Sequence, residues 1–307
     1  MLNMSMLFDE LSDEYLDSAG VLDILRGVPV PVAIDENGDM TTLSIALDMA
    51  KVIGGDPNYP YASQYLAYID RITKGNTVAF LVSEGAKAAD SERYEEACMF
   101  FRAALSKDPK SCDALYLYGR ACKGAYETED MPEDYVGNFK AESVEAFELL
   151  TVLHPEFAMG FYFLGYAYLN LGLYTKAKLT WDEFMKLPCP DDEVRSEVEE
   201  RLEALNEPLI IEQACNRILS GDYMGGKQLL EPYRTGKYEK WWPLWYYLGI
   251  AESALGDSAS AIADFKQALA YSPSNTEVMK ELVDIYGSIG DETNADKYRR
   301  KIEIVSE

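Results

Sequence analysis

The only histidine in the chain of 307 residues is His154, directly before Pro155. Hydrolysis by a Ser-His-Asp or Cys-His set needs histidine as base, and a histidine-rich metal site needs several as ligands. A single imidazole supports neither, and its place at a helix end suits a terminus-stabilising or surface residue. Gly221-Asp222-Tyr223-Met224-Gly225-Gly226-Lys227 has the spacing of a phosphate-binding loop, but Gln228 stands where a magnesium-binding Ser or Thr is required and no strand pattern precedes it. In the acidic run 35–39 the glycine comes fourth instead of sixth, and Ala46 stands where a calcium loop needs a bidentate carboxylate, so the run is expected to be a turn. Cys98, Cys112, Cys122, Cys189 and Cys215 form an odd set without CxxC spacing, which points to small buried residues and not to a disulfide framework or a thiolate metal site. The residues therefore predict no catalytic centre, no metal and no cofactor.

What must hold such a chain together is an apolar core, since 48% of the residues are hydrophobic and 26% charged. Lys and Arg number 28 against 53 Asp and Glu, a net charge of −25 that repels nucleic-acid backbones and anionic lipid. The opening MLNMSMLFDELSDEYLDSAG carries acids where a secretory signal carries cations, so a cytoplasmic location is expected. Residues 157–175 lack charge over a length near that of a membrane span. Gly160, Gly165 and Gly172 and four tyrosines within them favour a packed helix and turn instead.

The elements that would position any site recur at a fixed interval. Gly85 is followed twelve residues later by Ala97, then by Phe101, Ala104 and Pro109; Gly249 is followed at the same interval by Ala261, then by Phe265, Ala268 and Pro273. Gly165, Gly172, Tyr174, Ala177 and Trp181 make a third copy, and Gly119 stands thirty-four residues after Gly85 with Phe147 and Pro155 twelve residues late. A twelve-residue insertion at 126–137 accounts for that delay, and a solvated loop is its default form. Weaker copies surround Ala214, Gly221 and Leu230, and Leu282, Tyr286, Gly290 and Ala295.

A unit of thirty-four residues with this order of Leu-Gly, Tyr, Ala, aromatic and Pro resembles the tetratricopeptide repeat family. The resemblance implies an all-α, right-handed superhelical array of about six helix–turn–helix units, with units 1–2 at 76–156, unit 3 at 157–190 and units 4–6 at 207–305. Gly85, Gly119, Gly165 and Gly249 let the two helices of a unit approach, Phe101, Phe147, Trp181 and Phe265 are expected between neighbouring units, and Gly172, Gly221, Gly256 and Gly290 stop the first helix. Val194, Val198, Leu202 and Leu205 share one helical stripe and predict an extra helix at 191–206. Residues 1–75 lie outside the pattern and read as a mainly helical module with an extended segment at 27–32.

The resemblance further implies a non-enzymatic scaffold or adaptor that binds a peptide or partner helix on the inner helices, with no nucleic acid and no membrane as partner. The positions counted onto that face are Val82 and Ala86, then Tyr116, Arg120, Lys123, Tyr162, Tyr166, Asn170, Tyr246 and Ile250. Their tyrosines and cations suit a peptide with an acidic or C-terminal group. The Lys and Asn of the family's chaperone-tail clamp are missing at Val82, Ala86 and Tyr116. Two alternatives stand beside this reading. One is an enzyme or small-ligand receptor with its site in residues 1–75 or at their junction with the repeats, which a pocket with convergent carboxylates would support. The other is self-assembly through Trp241 and Trp242.

Overall fold

The structure is a computed structural model that describes residues 7–32, 41–128, 132–188 and 191–306; the run 35–39 and Cys189 lie outside them. Seventeen α-helices and one two-stranded sheet form among the described residues, and the fold is an all-α repeat array. The chain divides into two compact units, Met1–Arg195 and Ser196–Glu307.

The first unit opens with β1 (Leu7–Glu10), paired antiparallel with β2 (Pro29–Val32) in the register Leu7 to Val32. A two-stranded ribbon tolerates Pro29 and Pro31 because each strand has an edge that needs no N–H donor. The extended segment thus has a partner strand that no alternation in the sequence announced. Between the strands lie the short helices α1 (Asp13–Ser18) and α2 (Leu22–Leu25), followed by α3 (Thr42–Gly55) and α4 (Ala62–Ile72). Helix α3 starts on a reciprocal cap, with Thr41 and Ser44 each accepting from the other's backbone N–H. It then lies against the repeats so closely that a Cβ on Gly54 would fall 2.0 Å from the Met99 carbonyl oxygen.

Three hairpins follow: α5 (Thr77–Asp90) with α6 (Tyr94–Lys107), α7 (Cys112–Glu127) with α8 (Glu133–Leu153), and α9 (Ala158–Asn170) with α10 (Tyr174–Lys186). One apolar core runs from Leu16 through Phe101 to Ala146, so residues of the N-terminal segment share a core with the first repeats. Helix α11 spans Asp192–Ala204. The second unit contains α12 (Asn206–Leu219) with α13 (Tyr223–Leu230), a 3-10 turn at Glu231–Arg234, α14 (Trp242–Ala254) with α15 (Ser258–Tyr271), and α16 (Thr276–Ser288) with α17 (Glu292–Ser306).

The repeated small residues sit at equivalent helix crossings. A Cβ on Gly85, Gly119, Gly165 or Gly249 would lie 2.6, 2.6, 2.1 and 2.7 Å from ring atoms of Phe101, Phe147, Trp181 and Phe265. This corrects the expected place of the aromatics, because each ring lies across the glycine of its own hairpin. Phe147 also stacks on Phe163 of the next hairpin, with ring centres 5.6 Å apart. In the fourth pair Ala214 and Leu230, both buried, take the glycine and aromatic places, so a methyl is added where a ring is removed.

The turn between helices carries a left-handed residue at Gly172, Gly221, Gly256 and Gly290, with φ between 71° and 93°, and at Glu92, with φ 59°. Tyr126 takes that place in the second hairpin and remains inside α7. The insertion at 126–137 is consequently not a solvated loop over its described residues. Its first two residues prolong α7, and residues 133–137 supply the first turns of α8, which starts with Glu133 and Asp134 against the positive helix end.

Candidate functional site

On α7, Tyr116, Arg120 and Lys123 recur at helical spacing and share one side. The Arg120 guanidinium lies over the rings of Tyr116 and Phe163, 5.3 and 5.5 Å from their centres. The Tyr116 ring meets Phe157 and Phe163 edge-on at 5.2 and 5.7 Å, which ties α7 to α9. Arg120 is exposed and its hydrogen bond to the Tyr116 hydroxyl is long, 3.4 Å. It makes no ion pair among the described residues, which leaves its planar fork available to a carboxylate. Lys123, by contrast, is held by Glu127 at 2.7 Å.

Next to Arg120 a cavity of about 330 Å³ opens among α5, α6, α7 and α9, lined by Ala86, Tyr94, Lys123, Glu127 and Phe163 among others. Tyr162 and Tyr166 extend the aromatic row along α9 without lining the cavity. Tyr162 packs on Phe163 and Tyr166 at 5.0 and 5.1 Å, and Tyr166 on Trp181 at 5.0 Å. Asn170 is exposed at the end of α9 and hydrogen-bonds Tyr126. Val82 is half-buried in the core of the first unit. Tyr246 and Ile250 belong to the second unit, where the Tyr246 hydroxyl donates to Glu277 at 3.3 Å and Ile250 packs beside the buried cores. The sequence-predicted residues thus fall into two groups, one in each unit, and of the first group Ala86, Arg120 and Lys123 line the cavity.

A larger cavity, about 640 Å³, lies where α3 and β1 meet α6 and α8. Residues whose sequence gave no such signal line it: Lys51 from α3, Glu95 and Arg102 from α6, and Tyr135, Phe139 and Glu142 from α8. Arg102 donates to Glu142 at 2.5 Å, to the Tyr118 hydroxyl at 2.7 Å and to the Gly54 carbonyl at 3.2 Å. Burial opposes the charge of Arg102, yet Tyr118 and Glu142 together hold its pKa above the ordinary value. The Tyr135 hydroxyl donates to Glu95, and Lys51 pairs with Glu96 at 2.9 Å. Only the delayed position of Phe147 in the sequence hinted at extra turns of α8 in which Tyr135 stands.

Behind this wall the thiols of Cys98 and Cys122 approach to 3.7 Å, and burial pushes the Cys122 thiol up. Cys98 and Cys122 are buried, while Cys112 and Cys215 are half-buried. The second unit holds a buried ionic cluster. Arg234 binds both oxygens of Asp264 at 2.7 Å and Glu252 at 3.0 Å, Lys227 binds Glu252 at 3.1 Å, and Glu252 Oε2 has no partner among the described residues. Burial, then the neighbouring Asp264, raise the Glu252 carboxyl.

The remaining chemical candidates take structural places. Gly221 forms the turn of the fourth hairpin, Gly226 packs on Ile218, and Lys227 is engaged by Glu252. His154 ends α8, with Nε2 2.7 Å from the Lys110 carbonyl. No group of three or more His, Cys, Asp or Glu among the described residues is arranged to hold a metal. No described helix is long and apolar enough to cross a membrane. Trp241 is partly exposed, and Trp242 is half-buried with its ring 6.0 Å from Tyr246.

A family profile described as tetratricopeptide repeat matches residues 242–275, the hairpin of α14 and α15. No curated protein matches the sequence. Among solved structures, the chain is similar to a tetratricopeptide repeat protein from Parabacteroides merdae, with 15% identity over 86% of this chain and 96% of that one and a TM-score of 0.35. The tetratricopeptide repeat domain of P58(IPK) matches with 18% identity over 74% of this chain and 60% of that one, at a TM-score of 0.44. MamA from Desulfovibrio magneticus matches with 13% identity over 76% and 96%, at a TM-score of 0.31.

Proposed function

We propose that this chain, an all-α repeat array whose residues 242–275 match the tetratricopeptide repeat profile, is a non-enzymatic adaptor that binds an extended peptide on the α5–α7–α9 face of its first unit. The observation that carries this reading is Arg120, exposed at the mouth of a cavity of about 330 Å³, braced between Tyr116 and Phe163 and without an ion-pair partner among the described residues. A guanidinium preorganised by two rings loses little freedom on binding, and its fork matches a carboxylate. The peptide therefore carries an acidic side chain or a free C-terminus at that point, with an apolar residue against Phe163. Tyr162 and Tyr166 offer further ring surface along α9.

Fluorescence titration of the full chain with acidic and C-terminally free peptides tests this. Arg120→Ala should weaken binding at least about tenfold, the size of one charge-assisted contact, and amidating the peptide C-terminus should do the same if that carboxylate is read. Tyr246→Ala, in the second unit, should leave affinity unchanged. Binding that ignores Arg120→Ala and Tyr162→Ala alike would remove the site from this face.

A further inference from the structure

We infer that the cavity of about 640 Å³ between α3, α6 and α8 is a separate ligand site for an alkylammonium compound, a primary amine on an apolar stem. Its volume lies in the range of small-molecule sites. The charge of its wall decides the sign of the ligand. Lys51 and Arg102 contribute two positive charges against the three negative charges of Asp56, Glu95 and Glu142.

Both cations are already engaged. Lys51 pairs with Glu96, and Arg102 spends its guanidinium on Glu142, the Tyr118 hydroxyl and the Gly54 carbonyl. The carboxylates are half-used. Glu142 accepts from Arg102 and Tyr118 through Oε2 alone, and Glu95 accepts from Tyr135 through Oε1 alone. The second oxygen of each has no partner among the described residues, so the wall offers two open carboxylate oxygens beside the neutral amide of Asn138, while its two cations already face carboxylates. Phe8, Met99 and Phe139 supply apolar surface for a stem, and aromatic faces also favour an ammonium group. The net charge of −25 draws cations toward the chain as a whole.

The twelve-residue insertion acquires a purpose on this reading. Residues 133–137 add the first turns of α8, and those turns bring Tyr135 against Glu95 to close one side of the cavity.

The test is calorimetric titration of the full chain with spermidine and with cadaverine, and with glutarate as an anionic counterpart. Saturable binding of an amine is expected, weakened at least about tenfold by Glu95→Gln and by Glu142→Gln, and unaffected by Arg120→Ala. Circular dichroism and a melting curve on each variant separate lost binding from lost folding. Should Glu142→Gln unfold, Glu95→Gln decides, since the Glu95 side chain reaches only Tyr135. Absence of saturable amine binding, amine binding that ignores Glu95→Gln in a folded variant, or preferential binding of glutarate would each overturn the assignment.

Discussion

At Glu92 an ordinary side chain occupies a left-handed backbone, φ 59°, at the place where four other hairpins use glycine. An L-residue there costs about 1–2 kcal/mol of conformational strain. Glu92→Gly should relieve part of it and raise stability by about 0.5–1 kcal/mol, measured by urea denaturation; a lower midpoint would show that Glu92 makes a compensating contact. The reverse holds at the crossings. A methyl at Gly165 would stand 2.1 Å from Trp181 Nε1, an overlap that a buried indole cannot vacate. Gly165→Ala should destabilise by about 1–3 kcal/mol, whereas the same change at the open helical position Gly137 should stabilise by about 0.5–1 kcal/mol. Glu252 gives the residue scale a pH dependence. Its folded pKa is raised above the ordinary 4.5, so between that value and the folded pKa the native chain holds more protons than the unfolded chain. Its contribution to stability is therefore complete below pH about 4.5 and declines as pH rises, and Glu252→Gln should flatten that decline in melting curves recorded from pH 5 to 8.

Among elements, the hairpins were legible because their determinants are local and repeated. Glycine and alanine twelve residues apart, with a ring four residues on, mark one crossing, and the structure shows that crossing at Gly85, Gly119, Gly165 and Gly249. Of the stripe Val194, Val198, Leu202 and Leu205, the first three lie in α11, Asp192–Ala204, and Leu205 caps the start of α12. The pairing of β1 with β2 was not legible, since four-residue strands without alternation leave no periodic trace. The ends of the segment 126–137 are helical where loop chemistry was expected: its acids and proline resemble a loop, while Glu133 and Asp134 after Pro132 are equally the start of a helix. Of the candidate site, the cluster of Tyr116 and Arg120 followed from helical counting. The larger cavity is lined jointly by α3 and α8, which are separated in sequence by α4, the first repeat hairpin and α7, and no spacing rule reaches that far. At this scale, deleting residues 292–307 to remove α17 should uncover Leu282, Ile285 and Tyr286 and unfold α16, seen as a loss of helical signal larger than that of α17 alone.

Over the whole molecule the division at Arg195 and Ser196 separates two compact units, each with its own apolar core. Stability in repeat arrays is a sum of local terms, so the two units need not melt together. Limited digestion with a glutamate-specific protease should therefore cut first within the acidic stretch 192–203, and calorimetry should resolve two transitions; one transition with no preferred cut would mean that the units unfold as one. Tyr126, held inside α7 where other hairpins turn on glycine, points to a consequence for how such a chain can change over generations. A hairpin lacking its stop can lengthen both arms outward while the crossing beneath, Gly119 on Phe147, keeps its grip. Extra residues enter there without shifting the phase of any later repeat, which makes the second hairpin the natural port through which the scaffold acquires new surface.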